Sequence, residues 1–324
     1  MSSEKRGCFK VGCFGCLGTA GVVLLVVLVL FGLGLATGGG ETRIEPLDSS
    51  HDLPPVEPPK LPPMVLGDPE EEQPLPMIDH EIDVDEPGRI VLDLHKGSFE
   101  VRPGPPGSRL RLEGQYDDGK FELEESYSTY GEKGWTYKVS FDQRGFGIRP
   151  LIQTDGLENR IKLIIPRDMP IVLEGMVGIG ESELELGGLW LLEVDLDMGI
   201  GEHRLSFSEP LPVPMGKMRL DTSIGVIDVD ELGNASPRET WIKHSVGETA
   251  VDLRGAWRRD AEVSISCGIG ECDVRAPRDA KLDLAHVGVA IGESGAPRRR
   301  EPPPADAPTV RLSVSGTIGE VRVR

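Results

Sequence analysis

The sequence predicts an all-β chain of stacked strand–turn–strand repeats, β-solenoid-like, behind one N-terminal transmembrane helix. Three observations predict it. A glycine-centred phrase recurs: Val-Gly-Ile-Gly-Glu at 177–181, Met-Gly-Ile-Gly-Glu at 198–202, Ser-Ile-Gly-Val at 223–226, Ser-Val-Gly-Glu at 245–248, Cys-Gly-Ile-Gly-Glu at 267–271 and Thr-Ile-Gly-Glu at 317–320. Gly180, Gly201, Gly225, Gly247 and Gly270 lie 21, 24, 22 and 23 residues apart. A near-constant period of that size marks units that bury their apolar faces by stacking on one another. Apolar and polar residues alternate around each phrase, as in Leu192, Val194 and Leu196 or Val263, Ile265 and Cys267. That is the period of a strand with one buried and one wet face. Finally, an uncharged apolar run stands near the N-terminus.

Residues 1–17 form a cytoplasmic tail carrying Cys8, Cys13 and Cys16. No charge occurs between Lys10 and Glu41, and residues 18–37 are the transmembrane helix, since about 20 apolar residues cross a bilayer. Lys5, Arg6 and Lys10 precede it and only Arg43 follows closely, which places the N-terminus in the cytoplasm and the β-region outside. A cleaved leader ending near Ala36 is the competing reading. Residues 38–87 are an acidic, Pro-rich stalk. Within 41–86 there are 14 Asp/Glu against 2 Lys/Arg, a net of −12 out of −19 for the whole chain. Such a segment is expected to be an extended spacer of about 3 Å per residue.

Residues 88–168 form an N-terminal β lobe, which holds most of the aromatic residues and alternates through Trp135, Tyr137, Val139 and Phe141. A stack of strands needs such a cap, because an open end is a row of unpaired backbone groups. Residues 169–324 form the β-repeat domain. Each unit is expected to be two short strands joined by a tight corner at Gly180, Gly201, Gly225, Gly247, Gly270 and Gly319. A corner there requires positive φ or close backbone approach. The Arg/Pro-rich insertion 295–308 interrupts the repeats before the last one and is expected to loop off the flank.

Candidate chemistry is sparse. Cys13 and Cys16 have the two-residue gap of a metal or redox pair, and Cys8 is near, but a closed zinc site takes four ligands. Packing or lipid modification is the plainer role. Cys267 and Cys272 flank one glycine corner and are a candidate disulfide, with two free buried thiols as the alternative. Alignment on apolar residues puts Val177, Met198, Thr222, His244, Cys267 and His286 in one column. His244, Cys267 and His286 would then form a ladder suited to a soft metal. The other members of that column read as ordinary core. Glu181, Glu202, Glu248, Glu271 and Glu320 form a second ladder that could draw calcium or simply cap turn N–H groups. No Gly-x-Ser-x-Gly elbow, His-Glu-x-x-His helix or phosphate loop occurs.

The unit Asn159-Arg160-Ile161-Lys162-Leu163-Ile164-Ile165-Pro166-Arg167-Asp168-Met169-Pro170, followed by strand-Gly-Ile-Gly-Glu-strand repeats, resembles the bacterial toastrack β-domains. These occur in the putative-adhesin family and in the C-terminal domains of cell-wall-active antibiotic response proteins. The resemblance covers about residues 88–324, and its strongest pieces are 198–207 and 264–279. It implies an envelope protein that senses or scaffolds, and it assigns no catalytic residue.

The expected function is therefore that of a non-enzymatic, single-pass protein of a bacterial cell membrane. It would present its extracytoplasmic β-domain for binding, scaffolding or envelope-stress sensing. A surface carbohydrate-active enzyme on a β-helix and a structural adhesin are the alternatives. No cofactor is expected. The acidic balance excludes nucleic acid as a partner, which leaves the membrane and an envelope ligand or protein. The strand Val321, Arg322, Val323, Arg324 ends the chain with no unit behind it, so weak self-association through that edge is expected, with an edge blunted by the charges of Arg322 and Arg324 as the alternative.

Overall fold

The computed structural model describes residues 44–51 by backbone alone, and 87–131, 134–144, 159–297 and 303–324. The expected tail with Cys8, Cys13 and Cys16, the span 18–37 and much of the stalk lie outside the described residues. Among the described residues no helix is long and apolar enough to cross a membrane.

The described elements are strands, with one short 3-10 turn at Leu232–Asn234. In chain order they are β1 (Ile44–His51), β2 (Gly88–Gly104), β3 (Leu110–Asp117), β4 (Phe121–Tyr130), β5 (Gly134–Gln143), β6 (Arg160–Pro166) and β7 (Ile171–Glu185). Then follow β8 (Leu191–Ser206), β9 (Lys217–Asp230), β10 (Glu239–Asp252), β11 (Ala261–Arg275), β12 (Lys281–Gly295) and β13 (Thr309–Val323). They form one sheet in the order β1-β3-β6-β2-β7-β8-β9-β10-β11-β13-β12, with β5 also on β2 and β4 on β5.

Each repeat is one long strand bent at its glycine, where the sequence reading expected two strands and a corner. Neighbours from β2 and β7 to β11, β13 and β12 pair in parallel with the glycines in register: Gly97, Gly180, Gly201, Gly225, Gly247, Gly270, Gly319 and Gly292. The pairing runs on through the bend, so the chain need not leave the sheet to turn. Two constraints select glycine. Gly225 has φ 132°, and a Cβ built on it would lie 1.8 Å from the carbonyl oxygen of Gly201 in the preceding strand. Gly270 repeats this with φ 138° and the same 1.8 Å to the oxygen of Gly247.

The bend folds each strand into two layers. β2 displays this most plainly, because its first half pairs with β5 (Gly88 opposite Trp135) and its second half with β6 (Ser98 opposite Arg160). Side chains from the two halves meet between the layers in one core cluster that runs from Ile90, Trp135 and Phe141 through Leu173, Leu196 and Phe207 to Ile265 and Val314. Turns between repeats are stacked as well. Buried Asn234 donates its amide to the Phe207 carbonyl (2.7 Å) and accepts the Ala256 N–H (3.0 Å), tying three successive turns together.

Two further expectations are corrected. Ile44–His51 lies in the expected spacer, yet it forms β1, antiparallel to β3. The last two strands exchange places: β13 lies between β11 and β12, so the C-terminal strand is interior. Burial accounts for the exchange. Val310, Leu312, Val314, Val321 and Val323 of β13 are all buried, whereas no residue of β12 is. The better apolar strand takes the interior position. The chain end is also held in place, since Arg324 donates its N–H to the Val274 carbonyl (2.9 Å) and pairs with Asp273.

Candidate functional site: the stacked strand bends

The bend brings three columns of side chains together. The residue just before each glycine is thrown outward. In strand order from β7 these are Ile179, Ile200, Ile224, Val246, Ile269, Ile318 and Ile291. All but half-buried Ile179 are exposed, from 39% for Val246 to 66% for Ile291. Six strand spacings make this an aliphatic ridge about 29 Å long. In a straight strand these residues would share the buried face of Ile265 and Cys267. The glycine shifts the alternation by one, so the inward positions become Cys267 and then Cys272.

The residue just after each glycine lines one flank of the ridge. Glu181 and Glu202 adjoin; Val226 interrupts; Glu248, Glu271, Glu320 and Glu293 then stand on four consecutive strands. The expected glutamate ladder is thus real, with Glu293 as a member that sequence reading missed. Glu320 is paired with Arg322. Among the described residues no group of three or more His, Cys, Asp or Glu is arranged to hold a metal ion.

Inside the bend lies a buried polar seam. Ser182 bonds His203 Nδ1 at 2.9 Å, and His244 Nδ1 bonds Thr249 Oγ1 at 2.8 Å. His203 Nε2, Thr222 Oγ1 and His244 Nε2 are buried without a partner among the described residues. Burial, aided by the neighbouring His244, pushes the His203 imidazole down to about 4, and burial lowers His244 as well. Both rings are therefore neutral at physiological pH.

Val177, Met198, Thr222, His244 and Cys267 do share one column, as aligned. His286 does not. The next position after Cys267 is Gly316 of β13, and an irregularity between Leu284 and His286 sets His286 opposite Ser313, on an exposed stretch of β12. The His244–Cys267–His286 ladder is therefore not formed, because β13 separates its members and the register slips. Cys267 and Cys272 are free, buried thiols on either side of the bend. The neighbouring Cys267 thiol and burial push Cys272 far above the ordinary thiol range. The glycines named from the sequence, Gly180, Gly201, Gly225, Gly247, Gly270 and Gly319, all lie at bends with positive φ.

Residues 69–211 match the family model for the N-terminal domain of toast_rack, DUF2154. No curated protein matches the chain. Among solved structures, a putative cell adhesion protein from Clostridium sporogenes ATCC 15579 is 13% identical, with 75% of this chain and 97% of that one covered at a TM-score of 0.40. A putative adhesin from Bacteroides fragilis NCTC 9343 is 10% identical, with 74% and 94% covered at a TM-score of 0.35. At such TM-scores these likenesses carry no inference about the chain.

Proposed function

We propose, from the premise that the chain contains a toastrack-type β-domain, that this domain is a non-catalytic binding module held outside the cytoplasm of a bacterial cell. The ridge of β-branched residues supports binding most directly. Thr would serve a strand equally well at those exposed positions, and a contiguous apolar strip of this length marks an interaction site. Flanking carboxylates suit a partner whose apolar contact strip is bordered by cationic groups. Scaffolding and the sensing of envelope stress are two ways such a ridge would be used. Anchoring is supported by the uncharged run 18–37 and by Lys5, Arg6 and Lys10 before it.

A photo-crosslinking residue in the full-length protein in cells tests the reading. Placed at Ile224 or Ile269 it should give a discrete adduct, and at exposed Arg204 none. Equal adducts from all three sites, or none from any, would reject the ridge as the contact surface. A reporter enzyme fused after Arg324 should be active only in the exported compartment; activity in the cytoplasm would reject the topology.

A further inference from the structure

Upstream of the bend, the outer face of β8 to β13 changes character abruptly at Trp241. On the β8 and β9 side every cation is matched. Lys217 Nζ lies 3.4 Å from Glu193, Arg219 lies 2.9 Å from Asp195, and Lys243 of β10 lies 3.1 Å from Asp221. On the β11 and β13 side the outward positions nearest the bend are serines, Ser264 opposite Ser313 and Ser266 opposite Ser315, with Glu262 opposite Arg311 beyond them. These short side chains, next to the indole, leave an open groove of about 540 Å³ that runs from Lys217, Arg219 and Asp221 past Trp241 and Lys243 to the four serines. Strand geometry sets the hydroxyls on a grid of about 4.8 Å by about 6.7 Å. None of the four hydroxyls has a protein partner among the described residues. Trp241 is 41% exposed, whereas Trp135, Trp190 and Trp257 are 5% or less. Lys217 lies over its ring, 5.6 Å from the centroid.

We infer that this groove binds a neutral, β-linked oligosaccharide, the Trp241 indole stacking on a pyranose face and the serine grid taking its hydroxyls. The chemistry of the lining selects that class. An exposed indole offers an apolar plane with a polar edge. Hydroxyls that both donate and accept match ligand hydroxyls without selecting charge. The cations that line the groove, Lys217, Arg219 and Lys243, each lie within 3.4 Å of a carboxylate, which disfavours phosphate or sulfate. The groove is open and crosses the neighbouring strands β9, β10, β11 and β13, which suits an extended ribbon-like chain better than a compact small molecule. The site is separate from the bend ridge, so the two readings stand or fall independently.

The test is calorimetric titration of the full-length protein with the β-1,4-linked N-acetylglucosamine tetramer and with cellotetraose, with a sulfated oligosaccharide as the anionic control. Binding of at least one neutral tetramer is expected. Trp241→Ala should weaken it at least tenfold, a change of about 1.4 kcal/mol, and Trp241→Phe should weaken it less. Ser264→Val and Ser313→Val leave the indole in place and favour strand geometry, so they fill the groove without endangering the fold and should also weaken binding. Failure of both neutral tetramers to bind at about 10 mM, stronger binding of the sulfated ligand, or binding indifferent to Trp241→Ala would overturn the assignment.

Discussion

At the scale of single residues, the inside of the bend is where protonation and covalent chemistry have most effect. His203 is buried beside His244 and titrates near 4 in the folded chain, against 6.5 for an ordinary imidazole. Between those values the unfolded chain takes up a proton that the folded chain refuses. This contribution to stability is therefore complete above about pH 6.5, falls as pH drops toward 4, and is flat below that. From about pH 7 to about pH 5 the loss should be about 2 kcal/mol. His203→Gln keeps a hydrogen-bonding group for Ser182 but has no titration. Chemical denaturation should thus show a smaller acid loss in the variant than in the parent; identical pH profiles would remove His203 as the cause. Glycine is equally exacting. Gly225→Ala would drive a Cβ to 1.8 Å from the Gly201 oxygen, at a cost of several kcal/mol, because backbone must move on both sides. A thermal melt within a few degrees of the parent would mean that the bends are not stacked in register.

At the scale of the element, one bent strand replaces the two strands expected, and the reason was partly legible in the sequence. Ile265 and Cys267 before the glycine and Val274 after it differ by odd steps, which a single straight alternation cannot give. The shift in parity announces a bend, but nothing in residue spacing says whether hydrogen bonding continues through it. The glycines, the glutamate row and the inward column up to Cys267 were readable because each repeat carries the same short phrase. The outward isoleucines were not, since at the parity of Ile265 they look like core. His286 was misplaced because the order of β12 and β13 is set by comparative burial of whole strands, which no local pattern encodes.

The inward column gives a direct check. Ile265 is 2% exposed and its neighbour Ser264 lies on the outer face. Ile265→Ala should cost about 2–5 kcal/mol, and Ser264→Ala about 0.5 kcal/mol or less. Similar losses at the two positions in urea denaturation would refute the two-layer arrangement. Between strands, Asn234→Ala should cost about 1–3 kcal/mol, since it strands the Phe207 carbonyl and the Ala256 N–H in a buried turn.

At the scale of the whole molecule, the sheet is capped unequally. At the β2 end, one layer continues into β5 and β4 and the other into β6, β3 and β1. At the far end β12 is the edge, with Leu284 37% and Ile291 66% exposed. Self-association was expected at the C-terminal strand; with β13 inside the sheet, we expect any such contact to use β12, whose outer backbone groups are unpaired among the described residues. Ile291→Lys should then reduce the weight-average mass seen in sedimentation at high protein concentration, whereas Arg322→Ala should not.

The central claim is that the line of bends is a contact surface, and amide hydrogen exchange of the full-length protein tests it most directly. Exchange in native membranes is compared with exchange in purified protein. The account predicts added protection in membranes concentrated at 198–202, 222–226, 244–248 and 267–271, the segments that carry the ridge. Protection that is unchanged there, or that appears only on the faces away from the bends, would contradict it.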